Sequence, residues 1–260
     1  MRPLMLVLAM AFVTAGPAAF AAPGDPFGDD DAGCAPTTVT GLSCAKKVGT
    51  LVAKFRSRIV RCQLVQASQA FKTGHSSPGF DNAEENCELG SATSAVAKFD
   101  DKLADYAALG CDPTVIANAA TARDTLLSVL DAYNGAFFCD DTSGLTISEP
   151  GGGEQEEQGY IPASANNYKC AVGTYKAWVK LYTTYFAIHT KLASAVYKGV
   201  AYDEEAAELK ASLKYFGLVD TYVAVGLCSP CVAAVADNLG LLAAAESDGS
   251  LDQVYICPGP

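Results

Sequence analysis

The chain is 260 residues long, half of them apolar and 18% charged, and its 29 acids outnumber its 18 lysines and arginines for a net charge of −11. That balance excludes a protein built to hold phosphate backbones or anionic lipid, whereas the apolar half suffices for a hydrophobic core. The ten cysteines are an even set, as five disulfides in an oxidising compartment require, and at this density they brace a core and do not replace one.

Met1-Arg2-Pro3 leads into an apolar run, Leu4 to Val13, that is too short to span a bilayer, and Ala19-Phe20-Ala21 follows with small residues at a cleavage spacing. This pattern predicts an export signal over residues 1–21 and a secreted or periplasmic product with no membrane span. Cleavage would remove Arg2 and no acid, leaving a net charge of about −12. In residues 22–40, Asp25, Asp29, Asp30 and Asp31 stand among Gly and Pro. Their spacing does not fit a calcium loop, and the stretch is expected to be a solvated, mobile acidic segment.

A first helical unit is expected over residues 41–139. Its opening helix, Gly41–Lys72, carries Val48, Val52, Phe55, Ile59 and Cys62 on one stripe, with Lys47, Lys54, Arg58 and Arg61 on a solvated opposite face. A turn over Thr73–Phe80 leads to a second helix, Asp81–Leu109, with a stripe of Ala92, Val96, Phe99, Leu103 and Tyr106. Asp112-Pro113 supplies a cap and a first-turn proline for a third helix that ends before Phe137. Residues 140–165, acidic and glycine-rich, are expected to be a flexible linker.

Residues 166–260 repeat the first unit. Cys170-Ala171-Val172-Gly173-Thr174 parallels Cys44-Ala45 and Val48-Gly49-Thr50, and Tyr197-Lys198 follows Cys170 at the distance at which Phe71-Lys72 follows Cys44. Cys228-Ser229-Pro230 matches Cys111-Asp112-Pro113, and Tyr255-Ile256-Cys257 matches Phe137-Phe138-Cys139. The expected fold is therefore all-α: tandem duplicated three-helix units, each an antiparallel helical hairpin with one further helix, braced by disulfides.

A hairpin brings together residues equidistant from its turn. That rule pairs Cys62 with Cys87 and Cys44 with Cys111 around the first turn, and Cys170 with Cys228 around Gly199–Tyr202. The second unit lacks counterparts of Cys62 and Cys87, as the loss of one bond would leave it. For the remaining four cysteines, Cys139–Cys257 across a pseudo-two-fold axis and Cys34–Cys231 at the other end are expected. Local pairing of Cys34 with Cys139, or of Cys231 with Cys257, is the alternative.

The run Cys44-Ala45-Lys46-Lys47 through Arg61-Cys62, followed by Cys87 and Cys111, resembles a cysteine-bearing helical-hairpin repeat of uncharacterised exported bacterial proteins. The resemblance covers about a quarter of the chain. It implies export and a helical fold, and it carries no activity.

Catalytic chemistry is poorly supplied. Two histidines, His75 in a turn and His189 on an aromatic stripe, offer neither a triad nor a histidine-based metal site, so no catalytic residue, metal or cofactor is expected. Cys228-Ser229-Pro230-Cys231 at a helix start has the form of a thiol-exchange motif, but the repeat assigns Cys228 a structural partner. Trp178, Tyr182, Tyr185 and His189 are the candidate ligand-contacting residues, packing between helices being the alternative. The expected role is that of an exported non-enzymatic protein, structural or interacting with another protein. A carrier or sensor of small aromatic or apolar molecules, or a thiol oxidoreductase, are the competing readings.

Overall fold

The computed structural model describes residues 22–28, 30–148, 158–249 and 251–257. Among these, an antiparallel strand pair, β1 (Pro26–Gly28) and β2 (Asp31–Cys34), precedes seven α-helices. The helices are α1 (Val39–Thr73), α2 (Pro78–Glu85), α3 (Ala95–Ala108), α4 (Pro113–Phe137), α5 (Ala165–Lys198), α6 (Glu204–Ala224) and α7 (Pro230–Gly249). The fold is all-α, and no described helix is long and apolar enough to cross a membrane.

The two long helices are set by their ends. Thr38 and Ser164, both extended, accept the amides of Gly41 and Asn167 at 3.0 and 3.1 Å, and Gly74 and Gly199 close the far ends at φ 74° and 63°. A left-handed residue at that position suits glycine because it has no Cβ to clash. Between the caps, α1 and α5 lie against each other. α2, α3 and α4 pack on α1, α6 and α7 pack on α5, and α4 also reaches α5 and α7. One apolar core consequently runs through both halves, from Phe55, Phe99 and Leu130 to Trp178, Tyr215 and Tyr255.

A buried polar relay crosses that core. Gln63 on α1 donates Nε2–H to Asp131 Oδ1 on α4 at 3.0 Å and accepts the Tyr175 hydroxyl of α5 on Oε1 at 2.7 Å, while the Tyr175 ring stacks on Phe137. Buried amides are stabilising only when both ends are met, so Tyr175→Phe, which keeps the stack and removes the donor, is expected to cost about 1–2 kcal/mol. Urea unfolding measures this, and an unchanged midpoint would show that the relay contributes nothing.

All ten cysteines are bonded, in the pairs Cys44–Cys111, Cys62–Cys87, Cys170–Cys228, Cys34–Cys257 and Cys139–Cys231. The last two correct the expected Cys139–Cys257 and Cys34–Cys231 pairs, and the local alternatives as well. The reason lies in how the halves meet. The end of α4 abuts the start of α7, so Cys139 finds Cys231 in the first turn of α7 and not its own counterpart. After α7 the chain turns through Leu251–Gln253 and runs beside β2, where the Cys34 amide donates to the Tyr255 carbonyl at 2.9 Å and Cys257 reaches Cys34. Gly33 makes this approach possible: its φ is +95°, and a Cβ there would lie 2.5 Å from that same carbonyl oxygen.

Three further expectations need correction. The helix anticipated over Asp81–Leu109 is broken: α2 ends at Glu85, a wider π-turn runs over Asn86–Gly90, and α3 begins only at Ala95. Gly90, Ser91, Thr93 and Ser94 are weak helix formers, and Ser94 instead caps α3 by accepting the Ala97 amide at 3.1 Å. The segment 22–40 is not simply solvated: it forms β1 and β2, enters α1, and buries Cys34 and Ala35. The flanks of the supposed linker are packed, with Thr146 bridging Tyr160 and with Ile147 and Ile161 in the core. The centre of that linker, residues 149–157, and the export signal, residues 1–21, lie outside the described residues.

Candidate functional site: a buried histidine among four carboxylates

The aromatic stripe of α5 repeats at steps of three and four, Tyr175, Trp178, Tyr182, Tyr185, and the next step is His189. Periodicity thus carries an imidazole into the interior, where it is 1% exposed. Four carboxylates meet it there from three other elements. Glu204 and Glu208 stand one turn apart at the start of α6, whose first turn favours negative charge and is capped by Asp203. Asp248 closes α7, and Asp31 opens β2.

From Nε2 of His189 the distances are 2.7 Å to Glu208 Oε1, 3.3 Å to Glu204 Oε1, 3.4 Å to Asp248 Oδ1 and 3.5 Å to Asp31 Oδ1. The four acid side chains are only 6–13% exposed. Neither ring nitrogen forms a hydrogen bond of good geometry, and the buried Asp31 Oδ1, Glu204 Oε1 and Glu208 Oε1 also lack one. Asp248 Oδ1 also accepts the Ser247 hydroxyl at 3.2 Å.

Electrostatics follows from that crowding. Burial alone would lower the pKa of His189, but the contacts with Asp248, Glu204 and Glu208 and the charge of Asp31 overcome it and push the imidazole up to about 11. A single imidazolium cannot balance four buried carboxylates. Burial raises Asp31 to about 7 against the pull of His189, and burial likewise raises Glu208 to about 7. Glu204 is also penalised by burial, yet its contacts with His189 and Glu208 hold it below the usual carboxylate range. Asp31 and Glu208 therefore hold their protons to higher pH than free carboxylates do.

Of the four candidate ligand-contacting residues, only His189 and Tyr185 border this cluster. Tyr185 is kept protonated by burial and by the nearby Glu208, Asp248 and Glu204 charges, and its hydroxyl meets Ser212 Oγ at 2.6 Å. Trp178 is wholly buried, its indole N–H given to the Leu239 carbonyl at 2.9 Å. Tyr182 lies under the Arg56 guanidinium, 3.3 Å from its ring centroid, at the edge of a cleft of about 550 Å³ also lined by Val52, Phe186 and Glu246. Cys228 and Cys231 are bonded to Cys170 and Cys139, not to each other.

Sequence reasoning missed Asp31, Glu204, Glu208 and Asp248. The one-turn spacing of Glu204 and Glu208 was a faint signal, but nothing in the sequence links Asp31 to Asp248. No family model, curated protein or solved structure matches the chain.

Proposed function

We propose that this is an exported, non-enzymatic binding protein, built from two copies of one disulfide-braced helical unit, and that it holds a cation at His189. The observation that carries the reading is the convergence of four nearly dry carboxylates on one buried imidazole. That arrangement sets four acidic groups around a single ring nitrogen, more acceptor oxygens than its one N–H can serve. Five disulfides fit an oxidising compartment outside the cytoplasm and a rigid body that presents a site or a surface. The separate bonds of Cys228 and Cys231 favour bracing over thiol exchange.

Whatever binds the folded state and not the unfolded chain raises the melting temperature. Chelator-treated protein is therefore expected to melt several degrees higher with at least one inorganic cation at 1 mM (~100 times a Kd near 10 µM). Flat thermal profiles across sodium, potassium, magnesium, calcium, manganese and zinc would overturn the reading.

A further inference from the structure

We infer that the cation is a divalent first-row transition metal of the zinc class, bound by Nε2 of His189 and by carboxylate oxygens drawn from Glu204, Glu208, Asp248 and Asp31. This rests on the cation reading above and adds the identity of the metal and its ligands.

Spacing is the first argument. Zinc sits about 2.0–2.2 Å from imidazole nitrogen and carboxylate oxygen, which puts neighbouring ligand atoms of a tetrahedral ion about 3.4 Å apart. Three of the four oxygens lie 3.3, 3.4 and 3.5 Å from Nε2. The fourth, at 2.7 Å, needs only a side-chain adjustment. Within the set Asp31, His189, Asp248, and again within His189, Glu204, Glu208, the ligand atoms all fall within 4.8 Å of one another. His189 is common to both sets, so an ion bound to its Nε2 lies beside all four acids.

Unmet bonding is the second, and it is independent of the acids' charge. His189 is 1% exposed, neither of its ring nitrogens makes a hydrogen bond of good geometry, and Nε2 faces the acid cluster. One ring nitrogen can donate one proton, yet four oxygens face it, and three of the acids keep a buried oxygen with no hydrogen bond. Orphaned buried polar atoms are rare in native proteins and call for an explanation. An ion beside Nε2 would accept lone pairs from that nitrogen and from the acid oxygens around it.

The donor set then chooses among metals. Imidazole suits zinc, copper, iron and nickel, whereas calcium takes six to eight oxygens at longer range and magnesium keeps much of its water. This site includes a nitrogen and is too closed for a hydrated ion. Every cysteine is bonded, so no thiolate is present to favour a softer ion. Binding would also clip β2 to α5, α6 and α7, since Asp31 lies three residues before the Cys34–Cys257 bond.

The test uses full-length, disulfide-intact protein stripped with chelator. Metal content is measured by mass spectrometry after equilibration with zinc or cobalt(II), and affinities for zinc, manganese, magnesium and calcium are measured by calorimetry. One zinc per chain is expected, bound roughly 100-fold or more tightly than magnesium or calcium, with visible absorption bands from the cobalt form that report nitrogen and oxygen ligation. Glu208→Gln separates ligation from folding. It removes like-charge repulsion, so the metal-free variant should melt at least as high as wild type while zinc affinity falls roughly tenfold or more. His189→Gln should abolish the cobalt bands. Calcium or magnesium binding as tightly as zinc would overturn the metal class and leave the cation reading standing. Zinc binding unaltered in both variants would overturn the ligand assignment, and no binding of any cation would overturn both.

Discussion

Cys34→Ala/Cys257→Ala protein is expected to melt about 10 °C below wild type. In the chain-entropy account a cross-link stabilises by restricting the unfolded ensemble, and a long loop gains more than a short one. This bond spans 223 residues, but the Cys44–Cys111 and Cys139–Cys231 bonds already shorten the path between its ends. A loss of about 4 kcal/mol is therefore a better expectation than the full-length value, and for a chain of this size each kcal/mol moves the midpoint by about 2–4 °C. The loss is not entropic only. Freed from Cys257, β2 keeps the Cys34–Tyr255 backbone bond but loses its covalent anchor, and Asp31 becomes free to leave the cluster. Cys62→Ala/Cys87→Ala is the control: it opens a 25-residue separation at the far hairpin, should cost about 3 kcal/mol, and should leave the His189 site unchanged. Calorimetric scans of the two variants, with and without zinc, distinguish these effects. Equal zinc responses in both would show that the strand's anchor does not support the site.

The second large effect is on the metal-free protein, whose stability should fall as pH rises from about 4 to about 11. His189 is raised in the folded state, so its contribution is fully present below the unfolded pKa near 6.5 and is lost as pH climbs toward 11. Asp31 and Glu208 are also raised. Folding makes them take up protons between the ordinary carboxylate range and about 7, so their contribution likewise disappears across that window. Glu204 and Asp140 are lowered, and they oppose this only on the acid side, where stability drops as pH falls through their folded values. The maximum is thus expected in mild acid, with a decline of several kcal/mol by pH 9, read from urea midpoints in chelator at pH 5, 7 and 9. Glu208→Gln should flatten the limb below pH 7. Stability that rises between pH 5 and 9 would contradict the cluster as described.

Much of the fold is written locally. Stripes at steps of three and four, Thr38 and Ser164 at the starts of the long helices, and Gly74 and Gly199 at their ends are decided within a few residues. The three hairpin bonds follow from turn position, because equal distances from a turn force Cys44 toward Cys111, Cys62 toward Cys87 and Cys170 toward Cys228. The break between α2 and α3 was also local, in the run Gly90 to Ser94, but the apolar stripe from Ala92 masked it. The pairings of Cys34 and Cys139 were not local at all.

Sequence alone therefore determined helices, caps and hairpin cross-links, since each depends on neighbours along the chain or on the symmetry of one turn. Only the tertiary structure decided that α4 meets α7, that β2 lies along the last turns, and that His189 faces Asp31, Glu204, Glu208 and Asp248. The physical reason is that burial and charge proximity belong to side chains brought together by packing. Asp31 and Asp248 come from opposite ends of the polypeptide, and no periodicity can record their meeting at one imidazole.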